Sequence, residues 1–157
     1  KTTPGLRIFE KYAFKCGGGV NHRMGLYDAA MIKENHIAWT DNLKNAVQKI
    51  RLNSPFTTHI IIEAENIEQA KEAVLAGADS VLLDELSPEI IKKNVQELRD
   101  LSINSLKKEV NKNLIIEVSG INPEEISKYL IKGIDLISTS SSITKSDWID
   151  LSMRYIN

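Results

Sequence analysis

The sequence predicts an α/β fold built on a parallel sheet. Short β-branched or Leu-rich runs recur along the chain, each ending in a polar residue, and each is followed by a helix-start signal and an amphipathic stretch. The runs are near-continuously apolar rather than alternating, which is the pattern of strands covered on both faces. Strands and helices that alternate in this way form a parallel sheet, either open or closed into a barrel.

Taken in order, Lys1-Thr2-Thr3-Pro4-Gly5-Leu6-Arg7 supplies cations ahead of a first helix, and Gly17-Gly18-Gly19 follows it. A first strand is expected near Ala29 to Lys33. His59 to Glu63 reads as the next strand; Asn66 can cap a helix with Gln69 three residues on, and Gly77 closes it. Ser80 to Asp84 is a strand, and Ser87-Pro88 opens a helix with Pro at its first position and Ile91, Val95 and Leu98 on one face. The Lys-, Asn- and Ser-rich segment from Ser102 to Asn113 reads as a helix end plus an exposed loop. Leu114 to Ser119 is a strand, and Asn122-Pro123-Glu124-Glu125 caps a helix expected to bury Ile126, Tyr129 and Leu130 and to stop at Gly133. Ile134 to Ser138 is the last strand, and a final helix is expected over roughly Lys145 to Tyr155. Trp39 and Trp148 read as packing residues.

A chain of 157 residues with 42% hydrophobic and 26% charged residues has the profile of one globular domain, here expected to span 1–157. The formal net charge of -1 makes the cations near the glycines a local concentration, so nucleic-acid binding is not expected. The single Cys16 allows no intramolecular disulfide, and no apolar run approaches the roughly 18 residues of a membrane span. A reducing, cytoplasmic setting without membrane attachment is the expectation. The chain opens on Lys1 rather than Met, and a fragment of a longer protein is expected.

Chemistry in parallel α/β architectures lies at the carboxyl ends of the strands. That rule selects Lys33, Glu63, Asp84, Ser119 with Gly120, and Ser138 with the hydroxyl run Thr139 to Ser142. Cations, two carboxylates and a small-residue phosphate cradle on one rim suit a phosphorylated sugar and an anionic co-substrate. Taken singly, Glu63 or Asp84 is an ordinary strand-end carboxylate facing water; their matched places on adjacent strands single them out. His22 alone reads as structural, but it stands between the glycines and Arg23; His36 and His59 have no such company. The glycine triplet fits no complete nucleotide fingerprint and reads equally as a helix exit. Three histidines without zinc spacing and one cysteine make a histidine-based metal site improbable.

Lys1 to Arg7, Glu10-Lys11-Tyr12, Gly17-Gly18-Gly19, Asn21-His22-Arg23-Met24-Gly25-Leu26 and Ile32-Lys33-Glu34-Asn35-His36-Ile37 resemble the quinolinate phosphoribosyltransferases, also called carboxylating nicotinate-nucleotide pyrophosphorylases. The resemblance continues through Ala76-Gly77-Ala78-Asp79, Leu82-Leu83-Asp84, Glu117-Val118-Ser119-Gly120 and Asp135-Leu136-Ile137-Ser138. It implies an open parallel α/β barrel of about six strands, here without the family's N-terminal α/β sandwich domain and first barrel strand. It implies transfer of phosphoribosyl from phosphoribosyl pyrophosphate to quinolinate with decarboxylation, giving nicotinate mononucleotide, pyrophosphate and CO₂ on the way to NAD. Mg²⁺ is implied as the companion of the donor. A homodimer or larger homo-oligomer is implied, with the site completed by a neighbouring subunit's N-terminal domain.

By position, Lys1, His22, Arg23 and Lys33 then hold the quinolinate carboxylates and the donor's phosphates. Glu63 and Asp84 contact ribose and, through the donor, the metal; Lys1, Glu63 and Asp84 are the implied catalytic set. Ser119-Gly120 and the Ser138 to Ser140 segment match the 5′-phosphate loops. Two departures stand out: Ser138-Thr139-Ser140 replaces the usual Ser-x-Gly, and Gly120-Ile121 replaces a Gly-Gly pair. The family also uses an arginine just before the position of Lys1 and another from the sandwich domain, both outside this chain, so full activity is not expected of it alone. The competing readings are a related phosphoribosyltransferase with another anionic acceptor and a noncatalytic phosphate-binding barrel serving as a scaffold.

Overall fold

The computed structural model describes residues 1–40, 42–106 and 113–156. Along the chain run α1 (Arg7–Cys16), β1 (Ala29–Ile32), α2 (Glu34–Ala38), α3 (Leu43–Asn53), β2 (His59–Ala64), α4 (Ile67–Ala76), β3 (Ser80–Asp84), α5 (Pro88–Leu106), β4 (Ile115–Ser119), a 3₁₀ helix (Pro123–Tyr129), β5 (Leu136–Ile137) and α6 (Ser141–Thr144). The residues fall into two compact units, Asn21–Thr139 and the pair of segments Lys1–Val20 and Ser140–Asn157.

The larger unit holds a five-stranded sheet in the order β1-β2-β3-β4-β5, parallel throughout. With right-handed crossovers, a sequential parallel order places the connecting helices on one face and curls the sheet like a barrel wall. The core accordingly lies between that face and the helices: Ile60, Ile62, Val81, Leu83, Ile116 and Val118 are fully buried against Ile91 and Leu98 of α5 and Ala70 and Ala73 of α4. Burying each large side chain contributes about 1.5–3 kcal/mol.

Helix signals are realised as the residues dictate. Asn66 Oδ1 accepts the Gln69 N–H (2.9 Å), Gln69 Oε1 accepts the Glu65 N–H (2.8 Å), and Gly77 closes α4 at φ 88°, where a side chain is disfavoured. At the start of α5 the Glu89 carboxyl is held below its ordinary value by its own backbone N–H and then by the Ser87 hydroxyl.

Two aspartates fix the strand register by one repeated device. Asp79, just before β3, donates its N–H to the Ile60 carbonyl (2.9 Å), and its Oδ2 accepts the Ile60 N–H (2.8 Å) and Nη2 of Arg51 (2.5 Å). Asp135, just before β5, donates to the Ile116 carbonyl (2.9 Å) and accepts the Ile116 N–H (2.8 Å) and Nη2 of Arg99. Each arginine also reaches the carbonyl that precedes the locked strand, Arg51 that of Thr58 and Arg99 that of Leu114.

Several expectations are corrected. Residues 145–156 form no helix; their large apolar side chains, Trp148, Ile149, Leu151, Met153, Tyr155 and Ile156, are all exposed, so no packing supports one. Trp39 is exposed as well, and neither tryptophan is a packing residue. The segment after Asn122 is 3₁₀ rather than α, without a side-chain cap. Its spacing stacks Ile126 and Tyr129 against the core and turns Leu130 outward, 75% exposed. Helix α5 runs on to Leu106, and the remainder of the expected loop over 107–112 lies outside the described residues. Among the described residues no helix is long and apolar enough to cross a membrane.

Asp79 is 4% exposed, so Asp79→Ala strands a buried N–H and a guanidinium and is expected to cost about 3–5 kcal/mol in urea unfolding. Asp135→Ala, at a carboxylate 44% exposed, is expected to cost about 1–2 kcal/mol in the same measurement.

Candidate active site

Strand register decides what the face away from the helices displays. Ala29, Met31, Ile61 and Leu82 form a small apolar cluster there. Above it, toward the carboxyl ends, Glu63 lies level with Leu82, which lies level with Glu117 and Leu136. One step further stand Asp84 and Ser119, directly paired across β3 and β4. Glu63 and Asp84 therefore share a face of neighbouring strands but are offset by one step. Side chains alternate along a strand, so all these groups point the same way.

Each predicted carboxylate meets a partner from the same unit. Lys33, the residue after β1, places Nζ 2.7 Å from Glu63 Oε2, and this ion pair joins β1 to β2 across the site face. The Ser119 hydroxyl donates to Asp84 Oδ1. His22 brings Nε2 to 3.4 Å from Oε2 of Glu117. The Arg23 backbone N–H points at His22 Nδ1 (2.8 Å), so Nδ1 accepts and the ring proton belongs on Nε2, facing the carboxylate. Arg23 lays its guanidinium along β1, with Nη1 donating to the Ala29 carbonyl (2.9 Å) and Nη2 3.7 Å from Met31 Sδ.

The loops after β3 and β4 are locked together. The Glu85 N–H donates to the Ser119 carbonyl (3.2 Å), and Glu85 itself adopts φ 54°, uncommon for a residue with a side chain. Gly120 has φ 75°, and a Cβ there would stand 2.6 Å from Glu85 Cγ. Ser138 follows β5 and donates its N–H to the Val118 carbonyl (2.8 Å). Small residues with left-handed backbone at strand ends leave main-chain donors accessible to an anion.

Lys1 and Ser140 belong to the other unit. There Ser140 precedes α6, its carbonyl accepting the N–H groups of Ile143 (2.9 Å) and Thr144 (2.8 Å). The glycine triplet is the exit of α1: Gly17, Gly18 and Gly19 turn their N–H groups onto the carbonyls of Ala13, Lys15 and Phe14. His59 bonds Ser80 Oγ at the amino ends of β2 and β3, and His36 Nδ1 accepts the Lys33 N–H (3.1 Å).

Glu117 was not among the expected site residues. The signal was present: it is the one charge within Ile115-Ile116-Glu117-Val118-Ser119, and it shares parity with Ser119. Among the described residues no cluster of three or more His, Cys, Asp or Glu could hold a metal ion unaided. Two carboxylates on adjacent strands suit Mg²⁺ instead, which takes one or two protein carboxylates and completes its shell from substrate oxygens and water.

Cations, carboxylates and small-residue loops of a parallel α/β domain thus meet at the carboxyl ends of its strands, where such folds place their sites. Residues 1–154 match the model of the quinolinate phosphoribosyl transferase C-terminal domain, and the chain belongs to that family. It is 38% identical over 157 residues to a probable carboxylating nicotinate-nucleotide pyrophosphorylase of Synechocystis, covering 99% of this chain and 50% of the relative. It is 42% identical over 155 residues to the protein of that description in Methanothermobacter thermautotrophicus, covering 98% and 53%. The crystal structure of NadC from Streptococcus pyogenes superposes with a TM-score of 0.80 at 37% identity, over 98% of this chain and 50% of that one. The chain thus spans about half the length of the relatives it matches.

Replacing Gly120 by Ala is expected to lower stability by about 1–2 kcal/mol in urea unfolding, because a side chain there meets both the left-handed backbone and Glu85.

Proposed function

We propose that the protein containing this chain transfers phosphoribosyl from phosphoribosyl pyrophosphate to quinolinate, releasing pyrophosphate and CO₂ and forming nicotinate mononucleotide. Family membership supports this reading, and so does one geometric observation: Lys33, Glu63, Asp84, Ser119 and Gly120 share the carboxyl ends of adjacent strands. Donor and acceptor both carry several negative charges, so an enzyme joining them has to supply cations and main-chain donors, together with carboxylates for the sugar.

Lys33 takes a quinolinate carboxylate by exchanging it for Glu63, and Arg23 and His22 contribute to the same clamp and to the donor's phosphates; the family resemblance assigns Lys1 a substrate-binding role as well. Glu63 and Asp84 receive the ribose, while Ser119-Gly120 and Ser138 take the 5′-phosphate; the family resemblance assigns Ser140 to phosphate as well. The quinolinate nitrogen attacks ribose C1 as the bond from C1 to the pyrophosphate oxygen breaks, and the pair of electrons leaves with pyrophosphate. Oxocarbenium character at C1 is stabilised by the carboxylates. The ring nitrogen is now cationic, so the C2-carboxylate bond breaks with its electrons kept at C2; CO₂ leaves, and C2 takes a proton. Lys33 and Arg23 favour the charge that develops there. Positioning and electrostatics carry the rate, and no covalent nucleophile is required.

Glu63 and Asp84 would reach Mg²⁺ indirectly, through the donor that it accompanies; when bound, it offsets charge on the pyrophosphate. The same reading places the protein in the cytoplasm as a homo-oligomer whose sites take further residues from a neighbouring subunit's N-terminal domain.

The decisive assay follows release of labelled CO₂ from quinolinate by the protein expressed from its intact reading frame. Turnover is expected with quinolinate, and its absence, or preference for another anionic acceptor, would overturn the proposal. Lys33→Ala and Glu63→Ala are each expected to lower kcat/KM by roughly 10²–10³-fold, whereas a scaffold protein would show no activity to lose. Chelation of divalent cations is expected to abolish turnover and added Mg²⁺ to restore it; activity that survives chelation would remove the metal from the scheme.

A further inference from the structure

Glu117 is the most deeply buried carboxylate on the site face, 3% exposed. Its Oε2 faces His22 Nε2 at 3.4 Å, and its Oε1 is buried without a hydrogen-bond partner among the described residues. Leaving a buried carboxylate oxygen unpaired is costly, so a group in this position is kept where something arrives to satisfy it.

Its place in the sheet narrows what that something is. Glu63 and Glu117 flank Leu82 from β2 and β4 at one level, and Asp84 stands one step above Leu82 on β3. Two strand spacings separate Glu63 from Glu117, roughly 10 Å between backbones, a span comparable to that of a five-membered sugar ring with its hydroxyls. A carboxylate oxygen asks for a donor. Quinolinate as its dianion offers carboxylate oxygens and a bare ring nitrogen, all acceptors, and phosphate and pyrophosphate groups are acceptors too. Among the groups the proposed reaction brings together, the sugar hydroxyls are the donors.

We infer that Glu117 is a further substrate-binding and positioning residue: its Oε1 accepts a ring hydroxyl of the phosphoribosyl donor while its Oε2 orients His22 as the Nε2–H tautomer. The assignment rests on the functional reading above and extends it to a third carboxylate. One side chain then ties the sugar to the histidine of the acceptor clamp, so the two substrates are registered against each other through Glu117.

The test measures binding of phosphoribosyl pyrophosphate and of its 2′-deoxy and 3′-deoxy analogues by calorimetry, with Mg²⁺ present and quinolinate absent, on the protein from its intact reading frame. In the wild type, loss of the hydroxyl that meets Glu117 is expected to weaken binding roughly 10–100-fold, the range for a hydrogen bond to a charged group. In Glu117→Ala that penalty is expected to disappear for one of the two analogues. Glu117→Gln keeps the volume of the buried side chain and is expected to reduce the penalty to below about 10-fold, which settles the matter should the alanine variant not fold. Penalties for both hydroxyls that persist unchanged in the variants, or no penalty in the wild type, would overturn the assignment while leaving the reaction intact. A wild type that binds no donor at all would overturn the functional reading together with it.

Discussion

The carboxylate of Asp79 is taken out of water and held by Arg51 and by the main chain of Ile60, while its own N–H returns to the Ile60 carbonyl. A parallel strand pair has no hairpin to set its alignment, so something else has to decide which residue of β3 lies beside which residue of β2. Here a charged group does so at the amino end of the strand, where a slip would strand the carboxylate, the guanidinium and a main-chain donor together. The rest of the sheet inherits its phase from that point, and Asp135 with Arg99 repeats the constraint for β4 and β5.

The chemistry depends on this phase. With Ile61 beside Ser80 and Leu82 beside Glu117, the polar ends of β2, β3 and β4 all project from the face opposite the helices, and Ile62, Val81, Leu83, Ile116 and Val118 pack beneath the helices. A shift of one residue would exchange the two sets, burying Glu63 and Glu117 among isoleucines. Because the register holds, Lys33 meets Glu63 and Ser119 meets Asp84, each opposite partner drawn from a neighbouring strand. The small apolar cluster of Ala29, Ile61 and Leu82 forms the low-dielectric floor beneath them, which strengthens each of these contacts.

Much of this was legible in the sequence. The strands announced themselves as apolar runs, and α4 and α5 through Asn66, Gly77 and Ser87-Pro88, because those residues make local hydrogen bonds or impose local dihedral angles. Helix α3 gives a weaker signal: Leu43 and Val47 are its buried apolar residues among Lys, Asn, Gln and Arg, although Asn42 caps it through the Asn45 N–H at 3.2 Å. The expected terminal helix failed for the opposite reason, since an amphipathic pattern counts only when a partner surface meets its apolar side. At the site, looking to strand ends found Lys33, Glu63, Asp84, Ser119 and Ser138. Glu117 lies one step inside the strand, and recognising it required following the alternation inward from Ser119. The Asp79 and Asp135 locks follow Gly77 and Gly133 at the same distance, but their role is tertiary, since each carboxylate bonds a strand some nineteen residues earlier.

Repetition of the lock divides the sheet into modules. Helix α3 with β2, α4 and β3 carries one complete arginine-aspartate device, and α5 with β4, the 3₁₀ helix and β5 carries the other. Each two-strand module therefore holds its own alignment, and the seam between them falls in the short stretch from Glu85 to Ser87. Across that seam the modules are joined by the whole β3–β4 ladder, by the Ile115 N–H on the Asp79 carbonyl (3.0 Å) at the amino ends, and by the contacts of Glu85 with Ser119 and Gly120 and of Asp84 with Ser119 at the carboxyl ends. The rim of the proposed site thus lies where the two modules meet, at the carboxyl end of the β3–β4 ladder, so a ligand gripping both strands would add one more clasp to a join that the main chain already makes.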